Sequence, residues 1–120
     1  MTTNIRLSDE TSSFADELKE IGHFDSKITA CKFAFSYALK NCSEELGNPE
    51  ARDAMYPPGG TNYNVGSVDN DGFMASIIKL LYPDVRDTVS AMRGIILFGL
   101  TKLEELHKEH SLMPLARLMS

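Results

Sequence analysis

The sequence predicts a mainly α-helical protein, with one compact domain of about four helices and at most a short two-stranded β ribbon. Three observations support this fold class. Apolar residues recur at helical spacing in four separate segments. The one alternating polar and apolar segment near the N-terminus, residues 4–7, is too short to build a large sheet. At 120 residues, the chain is long enough for one modest core and too short for two.

The first helix is expected to begin at residues 8–9 and to end at Gly22. The Ser and Asp at its start can accept hydrogen bonds from free N–H groups of the first turn. Phe14, Leu18 and Ile21 follow at i, i+4 and i+7, so they share one face. The pattern indicates a short amphipathic helix.

The segment 25–40 is expected to form the central helix. Its apolar residues fill most of the helical circumference, which is typical of a buried helix. We expect Phe35 to lie in the core, covered by the apolar stripes of the first and last helices. Phe33 and Tyr37 are also interpreted as core residues rather than as a platform for ligand stacking.

The middle of the chain is expected to be irregular. Gly and Pro residues interrupt the segment 43–60, which predicts a long polar loop in which residues 51–55 could form one helical turn. A short strand near Val65 could pair with residues near Ile5 to form the ribbon.

Two further helices are expected in the second half of the chain. One covers residues 73–81, after a turn rich in Asp and Gly, and Tyr82–Pro83 ends it. The other is the longest, with an apolar stripe of about six turns over residues 85–106. Gly94 and Gly99 lie inside it, where glycine lowers helicity, so we expect another helix to approach closely.

The helical domain is expected to span residues 1–110 and to be followed by an apolar tail at residues 111–120. This tail is too apolar for a purely solvated chain end, so we expect it to dock on the domain or on a partner. The candidate partner-binding residues are Leu112, Met113, Leu115, Leu118 and Met119.

Charge and composition narrow the classes of function. Seventeen acidic and twelve basic residues give a net charge of -5, which argues against a general coating of nucleic acid. The polar N-terminus shows neither a secretory signal nor a membrane anchor, so we expect a cytoplasmic protein without membrane association. Cys31 and Cys42 would lie too far apart on a continuous helix for a disulfide, which suits a reducing compartment.

One segment partly matches a calcium-binding loop. Ser67, Asp69, Asp71 and Gly72 align with positions 1, 3, 5 and 6 of an EF-hand loop. Ile78 occupies the position where that loop requires a bidentate Glu. A capped turn explains these residues better than a calcium site.

A second pattern is shared with di-iron helical bundles. Glu104 and His107 form a Glu-x-x-His pair, but such a site needs a second motif from another helix. The chain has none, although a symmetric dimer could supply it. We therefore predict no metal site and no cofactor.

Catalytic patterns are missing from the sequence. It shows no nucleophile paired with a base, no phosphate-binding loop and no dinucleotide-binding pattern. The sequence therefore predicts a protein that is not an enzyme and has no catalytic residues.

The order of elements allows an alternative function. A short strand containing Arg6, an amphipathic helix and a second helix near Lys27 follow the order of ribbon-helix-helix repressors. In those repressors paired strands read the major groove, and a helix N-terminus faces phosphate. A direct DNA-binding module therefore stays open as the alternative.

Several short segments carry a resemblance to a known family. They are Ile5–Ser8, Phe24–Lys27, Phe33–Ala34, Ala38–Leu39, Arg93–Phe98 and Leu103–Leu106. In these segments the chain resembles DndE and the small Dnd-system-associated proteins, which are encoded with bacterial DNA phosphorothioation systems. The resemblance extends over most of the chain, from about residue 4 to residue 107.

The resemblance implies a compact, helical, non-enzymatic accessory subunit of a DNA-modification or phage-defence system. Its expected partners are larger proteins of the same defence system, DNA and further copies of itself in a homo-oligomer. DndE-like proteins associate with DNA through surface lysines. A module that binds nicked DNA is therefore a second form of the DNA-binding alternative. The corresponding candidate DNA-binding residues are Arg6, Lys27, Lys32, Lys40 and Arg93.

Overall fold

The computed structural model describes residues 4–57 and 62–110, which form one mainly helical globule with a two-stranded antiparallel sheet. The predicted fold class is confirmed. In chain order, the elements are β1 (Asn4–Arg6), α1 (Asp9–Gly22), α2 (Lys27–Asn41), α3 (Ser43–Leu46), α4 (Pro49–Ala54), β2 (Asn62–Asn64), α5 (Val65–Val68), α6 (Phe73–Leu81) and α7 (Thr88–His110). The four longer helices, α1, α2, α6 and α7, are those that the apolar periodicity predicts.

The longest helix, α7, lies at the centre of the domain. It contacts α1, α2, α4, α6 and β1, and nearly all of its residues from 91 to 100 are buried. The central position expected for α2 therefore belongs to α7. As predicted, α2 packs between α1 and α7 and buries Phe35, but Phe33 and Tyr37 are only half-buried.

Two glycines allow other elements to approach α7 closely. A Cβ atom at Gly99 would overlap the backbone carbonyl group of Ala34 in α2. A Cβ atom at Gly94 would overlap the backbone of α4 at Pro49 and Asp53. The predicted close approach is confirmed at both glycines.

The segment expected to be a long polar loop contains two short helices, α3 and α4. The side chain of Asn48 caps α4 by accepting hydrogen bonds from two N–H groups of its first turn, and Pro49 begins that helix. The expected helical turn at residues 51–55 is therefore part of a longer helix, α4, and the loop prediction was wrong for residues 43–50, because Gly47 and Pro49 separate two helices. The end of the predicted loop, residues 58–60, lies outside the described residues.

The predicted ribbon is present and is formed within one chain. β1 pairs with β2 in antiparallel register, with Ile5 opposite Tyr63. Ile5 is buried against the core. A ribbon-helix-helix repressor instead pairs its strands between two copies, so the arrangement here differs from that class.

The variant Gly99→Ala is expected to lower the free energy of unfolding by about 1–3 kcal/mol or to prevent folding, because α2 must move away from α7. Helix propensity alone would favour alanine by about 1 kcal/mol, so the two effects have opposite signs. Urea unfolding measures the difference. Ser36→Ala, on the exposed side of α2, is the control and should change little. A Gly99→Ala variant as stable as the wild type would contradict the close approach.

Candidate interaction surface

The helix α6 carries its largest apolar side chains on its solvent-exposed side. Phe73 is 62% exposed, Leu80 77% and Leu81 54%, and Ile77 is half-buried. These residues lie at i, i+4, i+7 and i+8, so they form one stripe along the helix. We name these four residues the α6 face.

The side of α6 next to this stripe, about 100° around the helix from it, attaches the helix to the domain. Met74 and Ile78 are buried, and the helix packs against α7. An amphipathic helix usually turns its main apolar stripe towards the core. Here the wider stripe faces outwards, which is a feature of protein-interaction surfaces.

The acidic turn before α6 holds the start of this helix. The two carboxylate oxygens of Asp69 accept hydrogen bonds from the N–H groups of Met74 and Ala75, at 2.9 and 3.0 Å. The carboxylate of Asp71 accepts one from the N–H group of Phe73 at 3.0 Å. Asp69 and Asp71, two of the residues that partly match a calcium loop, are therefore helix-capping residues, as the alternative interpretation predicts.

A cleft of about 280 Å³ lies at the C-terminal end of α6. Leu81, Tyr82 and Val85 line one side of it, and Gly47 and Asn48 line the other. Because Leu81 belongs to the α6 face and also lines the cleft, the α6 face continues directly into this cleft.

Arg93, a predicted DNA-binding residue, contacts protein carbonyl groups. Its guanidinium donates hydrogen bonds to the backbone oxygens of Arg6, Asp53 and Pro57. It also forms an ion pair with the Asp53 carboxylate at 2.8 Å, and the Arg93 side chain is only 12% exposed. Arg93 therefore joins β1 and the end of α4 to α7, and this structural role differs from the predicted one.

Lys27, a second predicted DNA-binding residue, connects α2 to α1. Its ammonium group donates hydrogen bonds to the Ser12 hydroxyl at 2.6 Å and to the Asp16 carboxylate at 3.1 Å. Lys27, for which the sequence predicts a contact with DNA, therefore forms an ion pair with Asp16 of the same chain.

The other predicted basic residues, Arg6, Lys32 and Lys40, form no ion pair with any residue in 4–57 or 62–110. Lys32 and Lys40 lie about 80° apart around α2 and about 12 Å apart along it. Phe33 and Tyr37 lie between them along the helix axis but about 20° and 60° beyond Lys40 around it, and the centroids of their rings are 6.5 Å apart. We name Lys32, Phe33, Tyr37 and Lys40 the α2 outer face.

Both cysteines are buried and free. Burial raises the pKa of the Cys31 thiol to about 12, and burial also raises the pKa of Cys42. Both thiols therefore stay protonated near neutral pH, whereas a nucleophilic or metal-binding cysteine acts as the thiolate.

The predicted Glu-x-x-His pair lies near the end of α7. The Nε2 atom of His107 is 3.2 Å from Oε1 of Glu17, and the ring packs near Phe14. Within residues 4–57 and 62–110, no three His, Cys, Asp or Glu side chains are arranged to hold a metal ion.

The predicted partner-binding tail lies outside the described residues. It comprises Leu112, Met113, Leu115, Leu118 and Met119. Across the described part of the chain, no helix combines the length and the apolar character that a membrane crossing requires.

Neither a protein-family model, a curated protein nor a solved structure matches the chain. The resemblance to the DndE family stays a prediction.

The orientation of α6 can be tested with two alanine variants of one helix. Leu80→Ala should change the free energy of unfolding by less than about 0.5 kcal/mol, because this side chain is exposed. Ile78→Ala should lower it by about 2–5 kcal/mol, because this side chain is fully buried. Urea unfolding at low protein concentration, where association contributes least, measures both. Equal losses would contradict the orientation.

Proposed function

We propose that this chain is a non-enzymatic interaction subunit that binds a protein surface through the α6 face. The exposure of Phe73, Leu80 and Leu81 in one stripe is the observation that carries the proposal. Fully burying a large apolar side chain contributes about 1.5–3 kcal/mol. A partner that covers this stripe would therefore gain a substantial part of its binding energy there.

The attachment of α6 supports a binding role. Two carboxylates cap the start of the helix, and Met74 and Ile78 anchor its inner side. The stripe is therefore displayed on an ordered helix, so binding does not have to pay for folding it.

We further propose that the subunit acts in the cytoplasm with larger proteins of a bacterial DNA-modification or phage-defence system. The resemblance to DndE-type proteins supports this setting. The apolar tail, residues 111–120, would provide a second docking site for those larger proteins.

The chain is given an affinity tag and purified from its own host together with the proteins that bind it. The variant Leu80→Asp is expected to lose these bound proteins. A charged side chain in an apolar interface loses hydration without gaining a partner. Met55→Asp is the control, because Met55 has a similar exposure, 69% against 77% for Leu80, but follows α4, outside the α6 face. Quantitative mass spectrometry identifies the bound proteins.

Subunits of a DNA-modification system should be retained by Met55→Asp and lost from Leu80→Asp. If Leu80→Asp retains every bound protein, the α6 face is not the binding surface. If the proteins that are lost have no connection with DNA modification, the proposed setting is wrong.

A direct DNA-binding module is the second candidate function, and the α2 outer face is the observation that favours it. Its two lysines can contact phosphates, and bases can stack on aromatic rings such as those of Phe33 and Tyr37. Phe24 extends the cluster, with its ring centroid 5.4 Å from that of Phe33.

The double variant Lys32→Glu, Lys40→Glu is expected to abolish binding to DNA if this second function holds. Fluorescence anisotropy with nicked, intact and single-stranded DNA, at low and near-physiological salt, measures the affinity. Phosphate contacts predict that the wild-type affinity falls steeply as salt increases. The double variant Lys79→Glu, Lys108→Glu makes the same charge change at exposed positions elsewhere, and it should retain most of the binding. Absence of binding by the wild type at low salt would exclude this candidate.

A further inference from the structure

The cleft at the C-terminal end of α6 has apolar walls and one charged residue. Leu81, Tyr82 and Val85 supply its apolar surface. Of the described residues, Asp84 is the only charged one that lines it, and the Asp84 side chain is exposed. A cavity of about 150 Å³ is sufficient to hold a benzene ring, so a cleft of about 280 Å³ has room for the end of a long side chain.

A second carboxylate, that of Glu50, lies beside the cleft. Its Oε2 atom accepts a hydrogen bond from the N–H group of Arg86 at 3.0 Å. Glu50 is in α4, shortly after Asn48, and Arg86 follows Val85 directly. Because Asn48 and Val85 line opposite sides of the cleft, this bond joins the two sides and keeps a negative charge close to them.

The last turn of α6 adds partial negative charge to the cleft. The final C=O groups of a helix have no partner within the helix, and together they act as about half a negative elementary charge. Pro83 has no N–H group that could donate to the carbonyl of Lys79. On the other side of the cleft, the Asn48 side chain already caps the first N–H groups of α4. The helix ends around the cleft therefore favour a cation over an anion.

Two cations lie near the cleft, but neither lines it. Lys79 is about 160° around α6 from Leu81. Arg86 forms no ion pair with any residue in 4–57 or 62–110, so it is not paired with either carboxylate beside the cleft. A third acid, Asp87, accepts hydrogen bonds from N–H groups at the start of α7. The cleft itself therefore presents negative charge.

A guanidinium matches these features better than an ammonium group. It presents five N–H donors in a planar fork, so it can bind a carboxylate and a nearby carbonyl group together. The carbon chain of an arginine can pack along apolar walls while its charged end stays at the rim. We propose that the cleft binds an arginine side chain of the protein that covers the α6 face.

The domain already holds one of its own arginines through similar contacts. The Nε atom of Arg52 donates a hydrogen bond at 2.9 Å to the carbonyl of Leu46, the last residue of α3. The central carbon of this guanidinium lies 4.7 Å from the centroid of the Phe98 ring. In the cleft, Tyr82 supplies a ring and the end of α6 supplies carbonyl groups. An arginine from a partner can therefore make the same two kinds of contact.

This inference rests on the proposed function, because it names the chemistry of the partner on the same surface. The partner would cover the exposed stripe from Phe73 to Leu81, which is about 12 Å long, with apolar residues. Its arginine would lie at the Leu81 end, where the stripe meets the cleft. Arginine is one of the residue types that contribute most to binding at protein interfaces.

Titration of the full chain with N-acetyl-arginine amide, followed by nuclear magnetic resonance, tests the cleft. The amide signals of residues 81–85 should shift and saturate in the millimolar range. N-acetyl-citrulline amide has nearly the same shape without the charge, so its dissociation constant should be at least fivefold higher. Equal affinities for the two compounds, or shifts that do not saturate, would overturn the proposal.

The double variant Glu50→Gln, Asp84→Asn tests the two carboxylates. It removes both charges, while the Gln side chain can still accept the hydrogen bond from the N–H group of Arg86. The dissociation constant of N-acetyl-arginine amide should rise at least fivefold. Glu20→Gln, at an exposed position of α1, is the control and should leave the constant unchanged. A smaller rise in the double variant than fivefold would mean that these carboxylates do not form the site.

Purification from the host separates this inference from the proposed function. The double variant should lose the same bound proteins as Leu80→Asp. If Leu80→Asp loses them but N-acetyl-arginine amide does not bind in the cleft, the inference fails and the proposed function stands. If the compound binds but Leu80→Asp retains every bound protein, the proposed function fails, and the arginine does not come from a protein on the α6 face.

Discussion

The packing of other backbones against α7 is the constraint on which the rest of the structure depends. At Gly99 and Gly94, α2 and α4 approach so closely that even a methyl group would collide with a backbone atom. Arg93 lies beside these contacts and binds carbonyl groups from β1 and from the end of α4. The two glycines and the Arg93 guanidinium thus connect distant parts of the chain to α7. The buried stripe of α7 forms the centre of the core.

The position of α6 follows from this crowding. α7 is already in contact with α1, α2, α4 and β1, and α6 adds only Met74 and Ile78 to the core. Phe73, Leu80 and Leu81 of α6 are left exposed, and Leu81 lines the adjacent cleft. The described core therefore forms without burying them, which supports the proposal that this surface binds a partner.

The basic residues show how far a function can be inferred from residue type alone. Arg6, Lys32 and Lys40 are unpaired within the described ranges, whereas Lys27 is bound to α1 and Arg93 to carbonyl groups. In sequence, all five are equivalent cations next to apolar residues. Arg93 contacts a carbonyl group 87 positions away, and no local pattern can predict a contact over that distance.

The sequence by itself determined the helical class, the four longer helices, the ribbon and the close approach at the two glycines. The helices depend on periodicity and capping residues at neighbouring positions, and the close approach depends on the missing Cβ atom. The ribbon pairs distant residues such as Ile5 and Tyr63, and the sequence indicated it through two short strand-forming segments. Only the tertiary structure decided that α7 is central, that α3 and α4 occupy the expected loop, and that the stripe of α6 faces outwards. Periodicity identifies residues that share a face, but the neighbour that covers this face is set by contacts between distant segments.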